Sequence, residues 1–400
     1  MITEFLIECY LLLYRIFFTL GSCLPLKNKI VFVSSFTENP LFVYHALKEE
    51  DMGADVVFLC RGKCIQDFRQ TGCSVYPVET FNPIAIFRSA IQLATARVIV
   101  VDNYYSFLAA SSFRRSVICL QLWHAAGAFK TFGLQDRSIA LRTKRARKRF
   151  KEVYQHFDRI AVGSDQMEAV FEKSFGLDRR HFLHTGIPRT DIFFDQSGIN
   201  QIRDSFKRKY GQKKLVLYAP TFRENTPASA ELPLDWEQME QVLGNDYLLL
   251  LKLHPSVQSK PEVDHRFVHD CSDCEINELL LGIDILITDY SSIPFEFALL
   301  GRPMIFFAYD LEDYKKERGL DDHYLEMIPG PLVHNTDELI DTIQKAAIDE
   351  EKVACFSEAW NQYSKGTSSK NVANYIKKLL QPLPASKRNS HSDWKRRPNQ

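Results

Sequence analysis

Short, uninterrupted apolar runs rich in β-branched residues recur along the chain, and helical stretches separate most of them. Six lie in the first half, at 29–33, 55–59, 97–101, 117–123, 158–162 and 181–184. Four more follow at 214–219, 247–253, 284–288 and 303–307. A strand that is apolar at consecutive positions must be covered on both faces, and alternation with helices supplies the cover. The pattern therefore predicts an α/β chain with parallel sheets. A polar stretch at 196–212 reads as the junction between two such sheets, and 400 residues suit two cores.

Composition narrows the class. Lys and Arg number 50, Asp and Glu number 50, and hydrophobic residues make up 45%. These values exclude a disordered chain and a polytopic membrane protein. The nine cysteines are scattered, and neither Cys60/Cys64 nor Cys271/Cys274 is followed by a second pair at zinc-site spacing. They read as reduced thiols, and no metal ligand set is assigned.

Residues 2–24 are the most apolar stretch, interrupted by Glu4, Glu8, Arg15, Thr19 and Ser22. At 100° per residue these five form one narrow stripe. Three charges argue against a membrane span, and an acidic leader argues against a signal peptide. An amphipathic helix lying in a membrane interface fits better than a helix docked on the protein's own core. The segment 142–151 carries seven basic residues and no acid. Together with the basic tail after Pro384, it leaves an acidic body, so the neutral total conceals separated charge. Contact with an anionic lipid surface, rather than with nucleic acid, is the sharper reading.

Unusual residues gather just after the predicted strands, where ligands of open α/β sheets bind. His124 follows an apolar strand and precedes three small residues, Ala125, Ala126 and Gly127, then Lys130. A histidine so placed can act as a general base, and small residues let the backbone approach a ligand. Thr221 and Arg223 follow the next such strand, and a guanidinium suits a phosphate through paired donors. Lys252 and His254 alternate at the end of a leucine strand, and Pro255 makes His254 the one at the loop. Thr288 and Asp289 end a fourth strand. Ser291 or Ser292 then caps a helix bearing Pro294, a place for an anion such as a diphosphate. No phosphate-binding P-loop, dinucleotide fingerprint, D-x-D pair or G-x-S-x-G elbow is present.

Taken together, these segments resemble the CDP-glycerol glycerophosphotransferases of wall teichoic acid synthesis. The resemblance is carried by WHAAGAFKTFGL at 123–134, VGSDQMEAVFEKSFG at 162–176, TGIPRTD at 185–191, YAPTFRE at 218–224, KLHP at 252–255 and TDYSSIPFEFALLGRPMIFFAYDLEDY at 288–314. VDNYY at 101–105, RTK at 142–144 and NQYSKGTSS at 361–369 look most like the primase subgroup.

The resemblance implies a GT-B fold, with two Rossmann-like parallel-sheet domains facing a cleft and an N-terminal amphipathic helix. The expected segments are a membrane-associating helix at 1–26, an acceptor-side domain at 27–200 and a donor-side domain with closing helix at 201–382. A basic, disordered tail at 383–400 follows. The resemblance implies a CDP-glycerol donor, no cofactor and an undecaprenyl-diphosphate-linked disaccharide acceptor. It also implies peripheral attachment to the cytoplasmic face of the cell membrane, where other teichoic acid enzymes are partners. His124 corresponds to the base and His254 to a residue on the diphosphate side. Thr221, Arg223, Ser291 and Ser292 match the donor phosphates, and Gly127, Lys130, Asp289 and Glu296 complete the substrate set. Alternatives are a glycerol- or ribitol-phosphate polymerase and a GT-B glycosyltransferase using a UDP-sugar.

Overall fold

The computed structural model describes residues 2–50, 53–223, 232–253, 257, 266–345 and 349–381. The chain divides into two compact units. One comprises Met1–His124, Phe132–Arg189 and Tyr363–Gln400, and the other comprises Ala125–Thr131 and Thr190–Gln362.

The first unit holds β1 (Lys29–Ser34), β2 (Asp55–Cys60), β3 (Ser74–Pro77), β4 (Val98–Val101), β5 (Ile118–Gln121), β6 (Arg159–Ala161) and β7 (Phe182–Leu183). They form one sheet in the order β3-β2-β1-β4-β5-β6-β7, and all its pairings are parallel. Val31 lies in register with Val57 on one side and Ile99 on the other. Ile30, Phe32, Phe58, Val98, Val100 and Leu120 are buried in one cluster with Leu47, Val372 and Ile376. These last three come from the covering helices Glu38–Glu49 and Ser368–Leu380. Covering both faces removes water from every side chain of β1, as its continuous apolar sequence requires. Helix Pro83–Ala94 begins where the Asn82 side chain accepts from Ile84 N and Ala85 N, with Pro83 at the first position.

The second unit holds β8 (Lys214–Tyr218), β9 (Tyr247–Leu251), β10 (Val268–Asp270), β11 (Ile285–Thr288), β12 (Met304–Phe307) and β13 (Leu332–Val333). Its order is β10-β9-β8-β11-β12-β13, again all parallel. Leu217 pairs with Leu250 and Leu286. Val216, Tyr218, Leu249, Leu251, Ile287 and Phe307 share a core with Met239, Leu243, Leu339 and Ile343 from the helices.

Several elements differ from the sequence expectation. The strands β3, β10 and β13 were not expected. All three are edge strands, of four, three and two residues, too short to show an apolar run. The stretch read as the junction is helix Gln196–Tyr210, which is capped by Asp195 and ends at Gly211 with φ +82°. It lies inside the second unit, where Phe206 packs on Gly282. Helix Ser368–Leu380, read as closing the second domain, lies in the first unit. His254, Glu224 and the tail at 383–400 lie outside the described residues.

Helix Ile2–Gly21 packs on the rest of the first unit, the arrangement that the sequence reading ranked below a membrane interface. It buries Leu11, Tyr14 and Phe18; Tyr14 stacks on Phe107, and Phe18 meets Phe113 edge-on. Glu4 and Glu8 both pair with Arg149, whose side chain is 9% exposed. The acidic stripe thus finds its partner in the basic run, which forms most of helix Lys144–Tyr154. The opposite face, with Phe5, Leu12, Ile16 and Leu20, stays exposed. No helix among the described residues is long and apolar enough to cross a membrane.

Candidate active site

Two strand-end constellations hold most of the residues singled out in the sequence. In the first unit, Asp102 follows β4 directly, and β5 leads to His124. The Asp102 carboxylate accepts from Ser35 N at 3.0 Å, Phe36 N at 2.9 Å and Tyr105 OH at 2.6 Å. Burial nevertheless pushes this carboxyl up to about 7, against three hydrogen bonds that favour its ionised form. The Asp102 main-chain carbonyl lies 3.1 Å from His124 Nδ1. A carbonyl can only accept, so Nδ1 carries the hydrogen and Nε2 is left with its lone pair.

The imidazole is packed between rings. Phe36 stacks at 4.5 Å and Trp123 at 4.4 Å. Desolvation lowers His124 to about 4, so the ring is neutral at pH 7. Trp123 itself sits at φ +59°, a left-handed conformation unusual for a bulky residue. Asn39 Nδ2 holds its carbonyl at 2.9 Å, and Asn39 Oδ1 accepts from Arg189 N at 2.8 Å. The strained turn directs the chain out of β5 and presents His124.

The second unit carries an ionic constellation. Asp289, fully buried at the end of β11, accepts from Thr221 N at 2.9 Å, Tyr290 N at 2.6 Å and Arg223 Nη1 at 2.6 Å. Asp310, after β12, takes Arg223 Nε and Nη2, each at 2.9 Å, and Tyr290 OH at 3.0 Å. The guanidinium lies 5.0–5.4 Å from the ring centroids of Tyr290, Tyr309 and Tyr314. Lys130 Nζ lies 5.4 Å from the Tyr314 ring, and Lys130 bridges to Leu320, so the loop after His124 reaches this cluster. The paired donors of Arg223 assigned to a phosphate are therefore spent on Asp310. Its position fixes the β8, β11 and β12 loops together.

Other expectations change similarly. Gly127 is buried against Phe295, whose Cδ1 would lie 2.2 Å from a Cβ at that position. The small residues thus admit an aromatic ring of the protein itself. Ser292 occupies the cap of Ile293–Phe297 but makes no side-chain cap bond; Ser291 Oγ instead accepts from Ile293 N at 3.3 Å and meets Thr288 Oγ1 at 2.8 Å. The Thr221 hydroxyl is buried with no hydrogen-bond partner among the described residues. Glu296 is buried in the same short helix. Lys252 turns away to the carbonyls of Ser272 and Cys274.

Asp102, Asp310, Tyr290 and Tyr314 received no role from the sequence, although Asp102 and Asp310 both follow apolar strands. In the first unit Asp165, Glu168 and His184 place three donor atoms within 4.8 Å of one another. Glu168 is already held by His184 at 2.6 Å and by Arg179 at 3.0 Å, and Asp165 by Tyr363 OH at 2.6 Å.

Residues 16–378 match the family model described as CDP-Glycerol:Poly(glycerophosphate) glycerophosphotransferase. The chain belongs to this family. A teichoic acid glycerol-phosphate primase of Bacillus subtilis (strain 168) is 35% identical over 387 residues, covering 95% of this chain and 99% of that relative. A teichoic acid poly(ribitol-phosphate) polymerase of Bacillus spizizenii is 33% identical, covering 88% of this chain but 57% of that longer protein. The solved wall teichoic acid polymerase TagF shares the fold, with TM-score 0.76 and 21% identity over 95% of this chain and 98% of that one. The Staphylococcus aureus MnaA–UDP structure shares it more distantly, with TM-score 0.56 and 15% identity over 88% of this chain and 96% of that one. The chain is a CDP-glycerol glycerophosphotransferase with two parallel-sheet α/β units, as the motifs implied.

Proposed function

We propose that the enzyme moves phosphoglycerol from CDP-glycerol to a sugar hydroxyl of an undecaprenyl-diphosphate-linked disaccharide, releasing CMP and priming wall teichoic acid synthesis. The observation that carries the chemistry is the state of His124: neutral, with Nδ1–H on a main-chain carbonyl and Nε2 available to take a proton. Priming is supported by the 35% identity to a teichoic acid glycerol-phosphate primase over 95% of this chain.

The reaction is written as in-line attack of the sugar oxygen on the phosphorus that bears glycerol. The new P–O bond forms as the bond to the CMP oxygen breaks. His124 Nε2 accepts the hydroxyl proton, and CMP leaves with the electron pair. Such transfers depend on positioning and on neutralising phosphate charge. The hydroxyls of Thr221, Ser291 and Ser292 and the Lys130 ammonium are the groups assigned to the diphosphate. Arg223 sets their loops through Asp289 and Asp310, and its positive charge under the tyrosines acts at short range. His254 keeps its proposed place on the diphosphate side.

Attachment to the cytoplasmic membrane face belongs to the same reading. It is supported by the exposed Phe5, Leu12, Ile16 and Leu20 of one helix face and by the exposed Lys144, Arg145, Arg147, Lys148 and Lys151 of another. The test is an assay of purified enzyme with CDP-glycerol and a short-chain disaccharide-diphosphate lipid, with product mass measured. Addition of one glycerol phosphate supports priming; long products support the polymerase, and turnover with UDP-sugars alone refutes the donor.

A further inference from the structure

A cavity of 330 Å³ opens at the amino-terminal ends of β8, β9, β11 and β12, the sheet edge opposite Thr221, Arg223 and Asp289. Strands of four or five residues separate the two edges by about 13–17 Å at 3.3 Å per residue. Its size lies at the lower end of small-molecule clefts, about 300–1,000 Å³. Arg203, Lys214 and Arg302 line it, with Asp284 and Asp349.

The two carboxylates are already engaged. Asp284 accepts from Arg203 Nη2 and from Leu215 N, both at 2.9 Å, and Asp349 caps a helix through Lys352 N at 2.9 Å. Arg302 donates Nη1 to the carbonyls of Leu281 at 2.8 Å and Ile283 at 2.7 Å, which do not cancel its charge. Its Nε and Nη2 have no partner among the described residues. Burial, with Arg203 close by, lowers Arg302 to about 10, so it remains a cation at pH 7. The Lys214 ammonium lies 5.7 Å from the Tyr247 centroid and has no ion pair among the described residues. Apart from Thr342, the remaining walls are largely apolar, including Pro329, Pro331 and Ile343.

We infer that this cavity binds a small organic anion, a phosphate monoester carrying a flat apolar group, separately from the donor substrate. The phosphate would meet Arg302 and Lys214 through charge-assisted hydrogen bonds, and the flat group would lie against Tyr247 and the prolines.

The probe is phenyl phosphate, titrated calorimetrically into the purified full-length enzyme, with inorganic phosphate and phenol as controls. One site is expected, with inorganic phosphate at least tenfold weaker and phenol silent at the same concentration. Lys214→Ala should weaken phenyl phosphate at least threefold, and Thr342→Trp, which plugs the rim, should abolish binding. Saturating CDP-glycerol should leave the titration unchanged. No binding at 10 mM, equal binding of inorganic phosphate, indifference to both variants, or displacement by CDP-glycerol would each overturn the inference.

Discussion

At the end of the first sheet His124 sits between Phe36 and Trp123 with a main-chain carbonyl as its partner, whereas at the end of the second sheet Arg223 is held by two carboxylates beneath three tyrosines. Both places follow from strand ends, yet their electrostatics are opposite. Around His124, desolvation with no formal counter-charge on Nδ1 keeps the ring neutral, the state a base requires. Around Arg223, charge is buried because it is paired and hydrogen-bonded on nearly every donor. On the proposed reading, the difference separates proton transfer from phosphate handling. One needs a lone pair, and the other needs a rigid, charged framework.

The comparison breaks first at His124. Replacing it by Ala should lower turnover about 10²–10⁴-fold while CDP-glycerol binding, measured by calorimetry, persists. At the ionic end, Asp310→Ala leaves the buried Arg223 with Asp289 as its remaining carboxylate. Equilibrium unfolding in urea should register a loss of about 3–5 kcal/mol; a neutral result would mean that the pair is dispensable. Gly127→Ala should cost about 1–3 kcal/mol by pressing on Phe295, with thermal unfolding as the readout.

A smaller effect concerns the exposed helix face. Leu12→Ser with Ile16→Ser should weaken partition onto phosphatidylglycerol vesicles about tenfold, and leave folding intact because Tyr14 and Phe18 keep the buried face. The smallest effect is on pH dependence. An ordinary histidine near pKa 6.5 would make kcat/KM fall below pH 6.5. With His124 lowered to about 4, protonation of this ring should cause no fall in rate between pH 7 and 6, and any step near pH 7 belongs to Asp102, raised to about 7. The stability that the neutral ring contributes is complete above about pH 6.5 and is lost as pH falls toward about 4, because the unfolded chain binds the proton more readily in that window.

Much of this was legible in the sequence because it is local. Continuous runs such as KIVFVS and DVVFLC specify buried parallel strands, and His124, Thr221, Asp289 and Ser291 sit where those strands stop. What was not legible depends on partners far along the chain. Asp310 lies 87 residues from Arg223, and only the strand order brings them together. Gly127 looked like room for a ligand because nothing local reveals that Phe295 fills it. The basic run reads locally as a patch for an anionic lipid surface, yet Arg149 turns inward to Glu4 and Glu8 across more than 140 residues. Strands β10 and β13 carry too few residues for periodicity to register.

The neutral state of His124 can be observed directly by nuclear magnetic resonance of the imidazole nitrogens in ¹⁵N-histidine-labelled enzyme, with His124→Gln supplying the assignment. The expected result is an Nδ1–H tautomer that stays uncharged down to below pH 5. An Nε2–H tautomer, or protonation at or above pH 6.5, would contradict the assignment of His124 as the neutral base.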